Sequence, residues 1–249
     1  MRYVKFESND IIRYGIIKDG AIYPDENKAR SPYEPIELKD AKILCPVSPT
    51  KIVAVGLNYT DHAKELNMPI PKEPLIFLKP PSSAIGPEDA IICPVESKRV
   101  DYEAELAVVI KKRARNISTD EADDYILGYT CLNDITARDL QKKDTQWTRA
   151  KSFDTFCPIG PFIESDIDAS SLKIELLLNG RVRQSSNTSN MVFGCKKLIA
   201  YISHIMTLEK YDVIATGTPA GVGELKHGDR VEVRIEKVGS LVNNVVKDI

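Results

Sequence analysis

Arg99-Val-Asp-Tyr-Glu-Ala-Glu-Leu-Ala-Val-Val-Ile110 is the stretch whose reading decides the fold: carboxylates on alternate residues, followed by an apolar run. A β-strand sends every second side chain to one face, so Asp101, Glu103 and Glu105 would line up about 7 Å apart, with Tyr102, Ala104 and Leu106 behind them. Such a row repels itself. Bulk water relieves the repulsion on the solvated face of an edge strand, and a hard divalent cation relieves it by taking carboxylate oxygens as ligands. Alternating polar residues on a half-buried strand are ordinary, so this stretch alone favours water.

The whole chain sets the bounds. At 249 residues it holds one large domain, or a large one with a small appendage. A net charge of -2 and a pI near 6.0 give no electrostatic reason to expect nucleic acid or an anionic membrane as partner. The first ten residues carry no apolar signal core, and nowhere do roughly eighteen apolar residues run together as a membrane span requires. The five cysteines are odd in number and never form a Cys-x-x-Cys pair, which predicts reduced thiols and a cytoplasmic protein.

Upstream of the acidic stretch, residues 1–48 alternate apolar and polar around Asn9-Asp10 and Asp19-Gly20, which predicts a small antiparallel β meander domain. Two prolines in Cys45-Pro-Val-Ser-Pro-Thr50 mark a boundary before the apolar strand at 51–55, and residues 49–249 form the larger, catalytic part. Gly56-Leu-Asn-Tyr-Thr-Asp-His-Ala-Lys-Glu-Leu66 reads as a short helix with Thr60 as N-cap, ended by Pro69 and Pro71. His62 and Glu65 stand three apart on it and can hydrogen-bond, the arrangement of a general base oriented by a carboxylate. The bland alternative is a solvated first turn with a stray histidine. The proline-rich 68–74 run bounds this helix as it would bound a mobile lid.

Downstream, Ser118–Tyr125 predicts a capped helix, and Ile126–Leu132 a strand that gives way to helical spacing over 133–141. Asp134 sits at that change, as a turn former or as a further oxygen donor for an ion at residues 101–105. Lys151 lies in a mixed aromatic and polar stretch, where it would hold an anionic substrate or be exposed. A hairpin follows over 172–184 with its turn at Asn179-Gly180, then an amphipathic helix over 193–208 whose His204 packs or faces solvent. Residues 212–223 form a strand and a glycine-rich loop that is neither a phosphate loop nor a dinucleotide fingerprint; there Thr218 could approach a small ligand. Strands outnumber helices, so the fold class is α+β, mostly antiparallel β.

Five motifs in series then carry a resemblance: Gly56-x-Asn58-Tyr59-x-x-His62-x-x-Glu65, Asp101-x-Glu103-x-Glu105, Asn133-Asp134-x-x-Ala137-Arg138-Asp139-x-Gln141, Lys151-Ser-Phe, and Thr216-Gly-Thr-Pro-x-Gly-Val-Gly223. In order and rough spacing, over about residues 50–236, they resemble the fumarylacetoacetate hydrolase family, its smaller acylpyruvase and 2-hydroxyhepta-2,4-diene-1,7-dioate isomerase-like members. The resemblance implies a mixed β-sandwich roll with a small N-terminal β domain, and a homodimer. It implies that Glu103, Glu105 and Asp134 hold one Mg²⁺ or Mn²⁺, with Asp101 outside the ligand set, behind it or on the surface. It implies that His62 and Glu65 activate water, that Lys151 steadies substrate oxygens, and that Arg138, Gln141 and Thr218 line the pocket. Larger members place a further aspartate ligand where Val55 stands, so water would complete the coordination here.

A hard cation held by three carboxylates keeps positions open for a chelating 2-oxo acid. The expected activity is hydrolysis of a carbon–carbon bond in acylpyruvate-like 2,4-dioxo acids through an enolate. The alternatives are an isomerase or decarboxylase of 2-oxo or 2-hydroxydienoic dicarboxylic acids, oxaloacetate included, and a non-catalytic protein that binds a metal or oxo acid.

Overall fold

A computed structural model describes residues 1–25 and 34–248. Most of its regular structure is β: a twelve-stranded, a five-stranded and a three-stranded sheet among the described residues. Nearly all pairings are antiparallel. Parallel exceptions join Val213–Ala215 to Ile52–Gly56, Gly239–Lys247 to Ala90–Cys93, and Cys157–Glu164 to Ala84–Ile85. This is the α+β, mostly antiparallel architecture that the residue patterning predicts.

Every residue of the Ala104–Ile110 strand is buried. Leu106, Val108 and Ile110 enter the main core together with Leu176 and Val233 of the five-stranded sheet and Ile199 of the Cys195–Ile205 helix. Ala107 and Val109 enter a second core on the opposite face, with Ala54, Leu132 and Ala215. A strand covered on both faces needs no polar alternation, which is why the second half of the opening stretch is continuously apolar.

The first half behaves differently. Val100–Tyr102 pairs with Thr136–Ala137 and Gly223–Glu224 in the three-stranded sheet, whereas Ala104–Ile110 belongs to the large one. The chain changes sheets at Glu103, so the expected single strand is two. Other local expectations shift in the same way. The helix at Thr60–Glu65 follows Tyr59 and has no side-chain cap, and Ser118–Tyr125 contributes only a 3₁₀ turn at Ala122–Tyr125. The turns at Asn9-Asp10, Asp19-Gly20 and Asn179-Gly180 all carry the positive φ angles that their residue types predict.

The N-terminal meander has a small core of its own around Val4, Phe6 and Ile22. Its first strand, Arg2–Ser8, hydrogen-bonds to the Cys157–Glu164 strand and so continues the large sheet. The connection at Thr50-Lys51 is held by Asp212, whose fully buried carboxylate accepts from the Thr50 amide (2.9 Å) and hydroxyl (2.7 Å), the Lys51 amide (3.1 Å) and ammonium (2.5 Å), and the Glu209 amide (2.8 Å).

Burial pushes the Asp212 carboxyl up, but Lys51 and the other donors outweigh it and leave it below its ordinary value. Its stabilising effect is therefore fully present above the unfolded carboxyl pKa of about 3.9 and is lost as pH falls through the lower folded value. Asp212→Ala is expected to cost about 2–4 kcal/mol at pH 7. The deficit against wild type, measured by urea unfolding, should narrow toward acid pH. A deficit constant with pH would assign the loss to packing instead.

Candidate active site and metal centre

The ends of several central strands meet on one side of the large sheet. The ladder sets Ala104 opposite Asn133, Ala215 opposite both Ala107 and Ala54, and Gly56 opposite Leu75. Glu105 shares the face of Ala107 and Val109 by the strand's alternation and so points away from the main core. Glu103 is zipped to the neighbouring segment: its amide donates to Asn133 Oδ1 (2.9 Å), and the Asp134 amide donates to the Glu103 carbonyl (2.8 Å). One carboxylate oxygen each from Glu103, Glu105 and Asp134 then lies within 4.8 Å of the others, all three residues buried.

Cations from other segments balance most of this charge. Lys151 Nζ donates to Glu103 Oε2 (3.0 Å) and Asp134 Oδ2 (2.5 Å). Lys79 Nζ donates to Asp134 Oδ1 (2.6 Å) and the Ile135 carbonyl (3.3 Å). Arg138 donates to Glu103, to Asp101 Oδ2 (2.9 Å) and to Gln141 Oε1 (2.6 Å). Burial alone would raise the Glu103 carboxyl, yet Lys151 and Arg138 hold it at about 2. Lys151 is likewise held above the ordinary lysine value: burial would lower it, but Asp134 and Glu103 prevail.

Glu105 is the exception. It accepts one hydrogen bond, from the Gly217 amide (2.7 Å). Burial first, then the charges of Asp134 and Glu103, push its carboxyl well above the usual range. Three converging carboxylates, one of them lacking its own cation, are an all-oxygen donor set that suits a hard divalent ion. A bound cation would offset the burial and carboxylate repulsion that disfavour the charged form of Glu105.

The Thr60–Glu65 helix lies over the carboxylates. His62 Nδ1 is 2.9 Å from Glu65 Oε2, and Glu65 Oε1 accepts from the Gly221 amide (3.0 Å). Asp61 Oδ2 accepts from the Ser186 hydroxyl (2.5 Å), a second tie between this helix and the rest of the protein. Just before the helix, Asn58 donates to the carbonyls of Phe193 (3.0 Å) and Thr216 (2.7 Å) and accepts from the Phe193 amide (2.8 Å). The Thr218 hydroxyl accepts from Gln184 (2.9 Å), which also takes the Ala104 amide (2.9 Å). Eight of the nine residues singled out from the sequence line one cavity of about 530 Å³; the ninth, Glu65, stands behind His62.

Of the two places expected for Asp101, the structure shows the one behind the carboxylate cluster: it is fully buried and bridges Arg99 (2.8 Å) and Arg138, which also holds Glu103. Other residues of the site carry no local signal in the sequence. Lys79 ends an apolar strand like any strand-end charge, and Gln184 sits in a hairpin, so no local signal marked either. Phe77 and Trp147 line the same cavity edge to face, and in the sequence they read only as hydrophobic residues.

The family model for the fumarylacetoacetate (FAA) hydrolase C-terminal domain matches residues 51–246. This chain belongs to the fumarylacetoacetate hydrolase family. It is therefore an enzyme of that family. It is 40% identical to a solved structure from Mycobacterium smegmatis described as 5-carboxymethyl-2-hydroxymuconate delta-isomerase, with a TM-score of 0.93 and 100% of both chains covered. It is 47% identical over 220 residues to the mitochondrial oxaloacetate tautomerase FAHD2A of Bos taurus, covering 83% of this chain and 70% of that one. It is 30% identical, with a TM-score of 0.85 and both chains covered at 100%, to maleylpyruvate hydrolase from Sphingobium sp. SYK-6, solved in complex with manganese(II) ion and pyruvate. The full-length structural matches bear out the family's fold. Among the described residues no helix is long and apolar enough to cross a membrane.

Two substitutions separate the roles within the cluster. Asp134→Ala leaves Lys79 and Lys151 buried without their shared carboxylate and should destabilise the protein by about 3–5 kcal/mol. Glu105→Gln removes a carboxyl whose charged form burial and the neighbouring carboxylates disfavour, so it should cost the metal-free protein far less stability than Asp134→Ala. An acid raised by folding contributes a stability that falls as pH rises from its unfolded value toward its folded one, and the glutamine variant should lose that slope. Calorimetry should find divalent-cation binding lost in both. A large loss of stability in Glu105→Gln at neutral pH would contradict the charge assignment.

Proposed function

We propose that this protein is a divalent-metal-dependent hydrolase that cleaves a carbon–carbon bond in acylpyruvate-like 2,4-dioxo acids. The observation that carries the reading is the His62–Glu65 pair. Because an ionised carboxylate only accepts, the contact at 2.9 Å supports a ring proton on Nδ1, which would leave Nε2 as the base beside the cavity. On this reading Glu103, Glu105 and Asp134 hold Mg²⁺ or Mn²⁺. The bound ion would supply Lewis acidity to a 2-oxo acid that chelates it.

The protein's own groups do the rest. His62 Nε2 takes a proton from water as the water oxygen bonds to the distal carbonyl carbon; Glu65 stabilises the imidazolium. The bond between that carbon and the central methylene carbon then breaks, its electron pair passing to the pyruvate fragment as an enolate. His62 returns the proton to the methylene carbon, so one diketo acid and one water give pyruvate and a carboxylic acid. Lys151 places an ammonium next to the carboxylates, where charge develops on the substrate's oxygens. Gln141 and Thr218 offer hydrogen bonds at the cavity wall, and Arg138, tied to Asp101, Glu103 and Gln141, orients the first of these. The protein is expected to work as a cytoplasmic homodimer.

A second reading shares every residue. The same base can move a proton along a 2-oxo acid without breaking a carbon–carbon bond, and the similarity to an oxaloacetate tautomerase and a muconate isomerase favours it.

With Mg²⁺ the protein should bleach the ultraviolet absorbance of acetylpyruvate and release pyruvate in equal amount. His62→Ala should lower kcat by about 10²–10⁴-fold while calorimetric Mg²⁺ binding persists. Bleaching without pyruvate would favour the tautomerase reading, and undiminished hydrolysis by His62→Ala would remove the base from its role.

A further inference from the structure

The cavity has two unlike ends. At one, the carboxylates, lysine and arginine described above are paired to one another. At the other, Leu66, Met68, Leu75, Phe77 and Trp147 form an apolar wall. Leu66, Met68 and Leu75 are each about half exposed (47%, 52% and 53%), so the wall is a standing apolar surface open to water.

The wall is built rather than incidental. Phe77 and Trp147 meet edge to face with ring centroids 5.3 Å apart. The Trp147 indole rests on the backbone of Gly56, where a β-carbon would approach it to 2.9 Å. Lys151 Nζ lies 5.1 Å from the centroid of Phe77, so the apolar wall adjoins the charged groups.

Among the described residues, no cation lines the far end. The basic residues lining the cavity are His62, Arg138 and Lys151, each already held by carboxylates. A carboxylate reaching the apolar wall would lose its hydration and gain no partner. An alkyl or aryl group there would instead take the half-exposed side chains out of water.

We infer that the physiological substrate is a 2-oxo acid whose distal end is an uncharged, apolar chain or ring of several carbons, and that Trp147 and Leu75 select it against dicarboxylic acids. This rests on the hydrolase reading above for its assay but not for its binding. The expected gain is about threefold in kcat/KM per methylene added to the acyl group.

The test compares acetylpyruvate, hexanoylpyruvate and succinylpyruvate with the Mg²⁺-loaded enzyme. Hexanoylpyruvate should exceed acetylpyruvate at least tenfold in kcat/KM, chiefly through KM, and succinylpyruvate should not exceed acetylpyruvate. Trp147→Ala should compress the hexanoyl-to-acetyl ratio about tenfold, and Leu75→Arg should raise succinylpyruvate relative to hexanoylpyruvate. A flat series, or a preference for succinylpyruvate in the wild type, would overturn the inference. Calorimetry of N-hexyloxamate against oxamate, which the enzyme cannot cleave at carbon, separates the two claims. Tighter binding of the hexyl compound with no acylpyruvate hydrolysed supports the apolar-tail inference and removes the hydrolase reading; equal binding overturns the inference whatever the enzyme hydrolyses.

Discussion

Buried charge has to be neutralised inside the protein, and this site depends on how that is done. Asp101, Glu103, Glu105 and Asp134 are all buried. Their counter-charges arrive from separate parts of the chain: Lys79 at the end of one strand, Arg99 before another, Arg138 on a short helix and Lys151 on the next. Each pair ties its own segment to the acidic one. Isolated, any member would carry a desolvation cost of several kcal/mol, so the segments are stable here only together. Fold and site are thereby the same network, and Glu105 is the one carboxylate that the network leaves without its own cation.

The two-faced strand explains where that network can form. Ala104–Ile110 is covered on both sides, so a carboxylate within it has no water to turn to, and Glu105 sits at its start, where neighbouring strands end. Strand ends bring loops, and loops bring the variable groups: Asn133-Asp134 from one, Gly217-Thr218 from another, His62 from the helix after Gly56. A site at the end of a rigid sheet combines fixed acidic groups with a covering segment of different character.

The legible parts of this architecture were those set by short spacing. Alternation placed Glu103 and Glu105 together, a three-residue step paired His62 with Glu65, and Asn-Asp, Asp-Gly and Asn-Gly marked turns because their residues tolerate left-handed backbone. What stayed hidden was set by distance along the chain. Nothing local breaks the strand at Glu103; the break comes from partners at 136–137 and 223–224. Lys79 became a buried ion because Asp134, 55 residues later, meets it. Trp147 reads as any aromatic until Gly56 is found beneath it. The resemblance supplied the ligand set, where spacing alone favoured water over metal.

Asn58 draws these features together. Its side chain is fully buried and joins the chain entering the helix to Phe193 and Thr216, with three hydrogen bonds. Whatever movement the helix has must pivot after this residue, because the segment before it is locked to the core. In the language of amide exchange, the Phe193 N–H held by Asn58 is expected among the slowest protons. The amides of Ala63, Leu66, Asn67 and Met68, closed by single-turn bonds, are expected to exchange through local excursions. One asparagine thus marks the border between a segment tied to the core and a short helix held by fewer bonds, and His62, the proposed base, lies four residues beyond it.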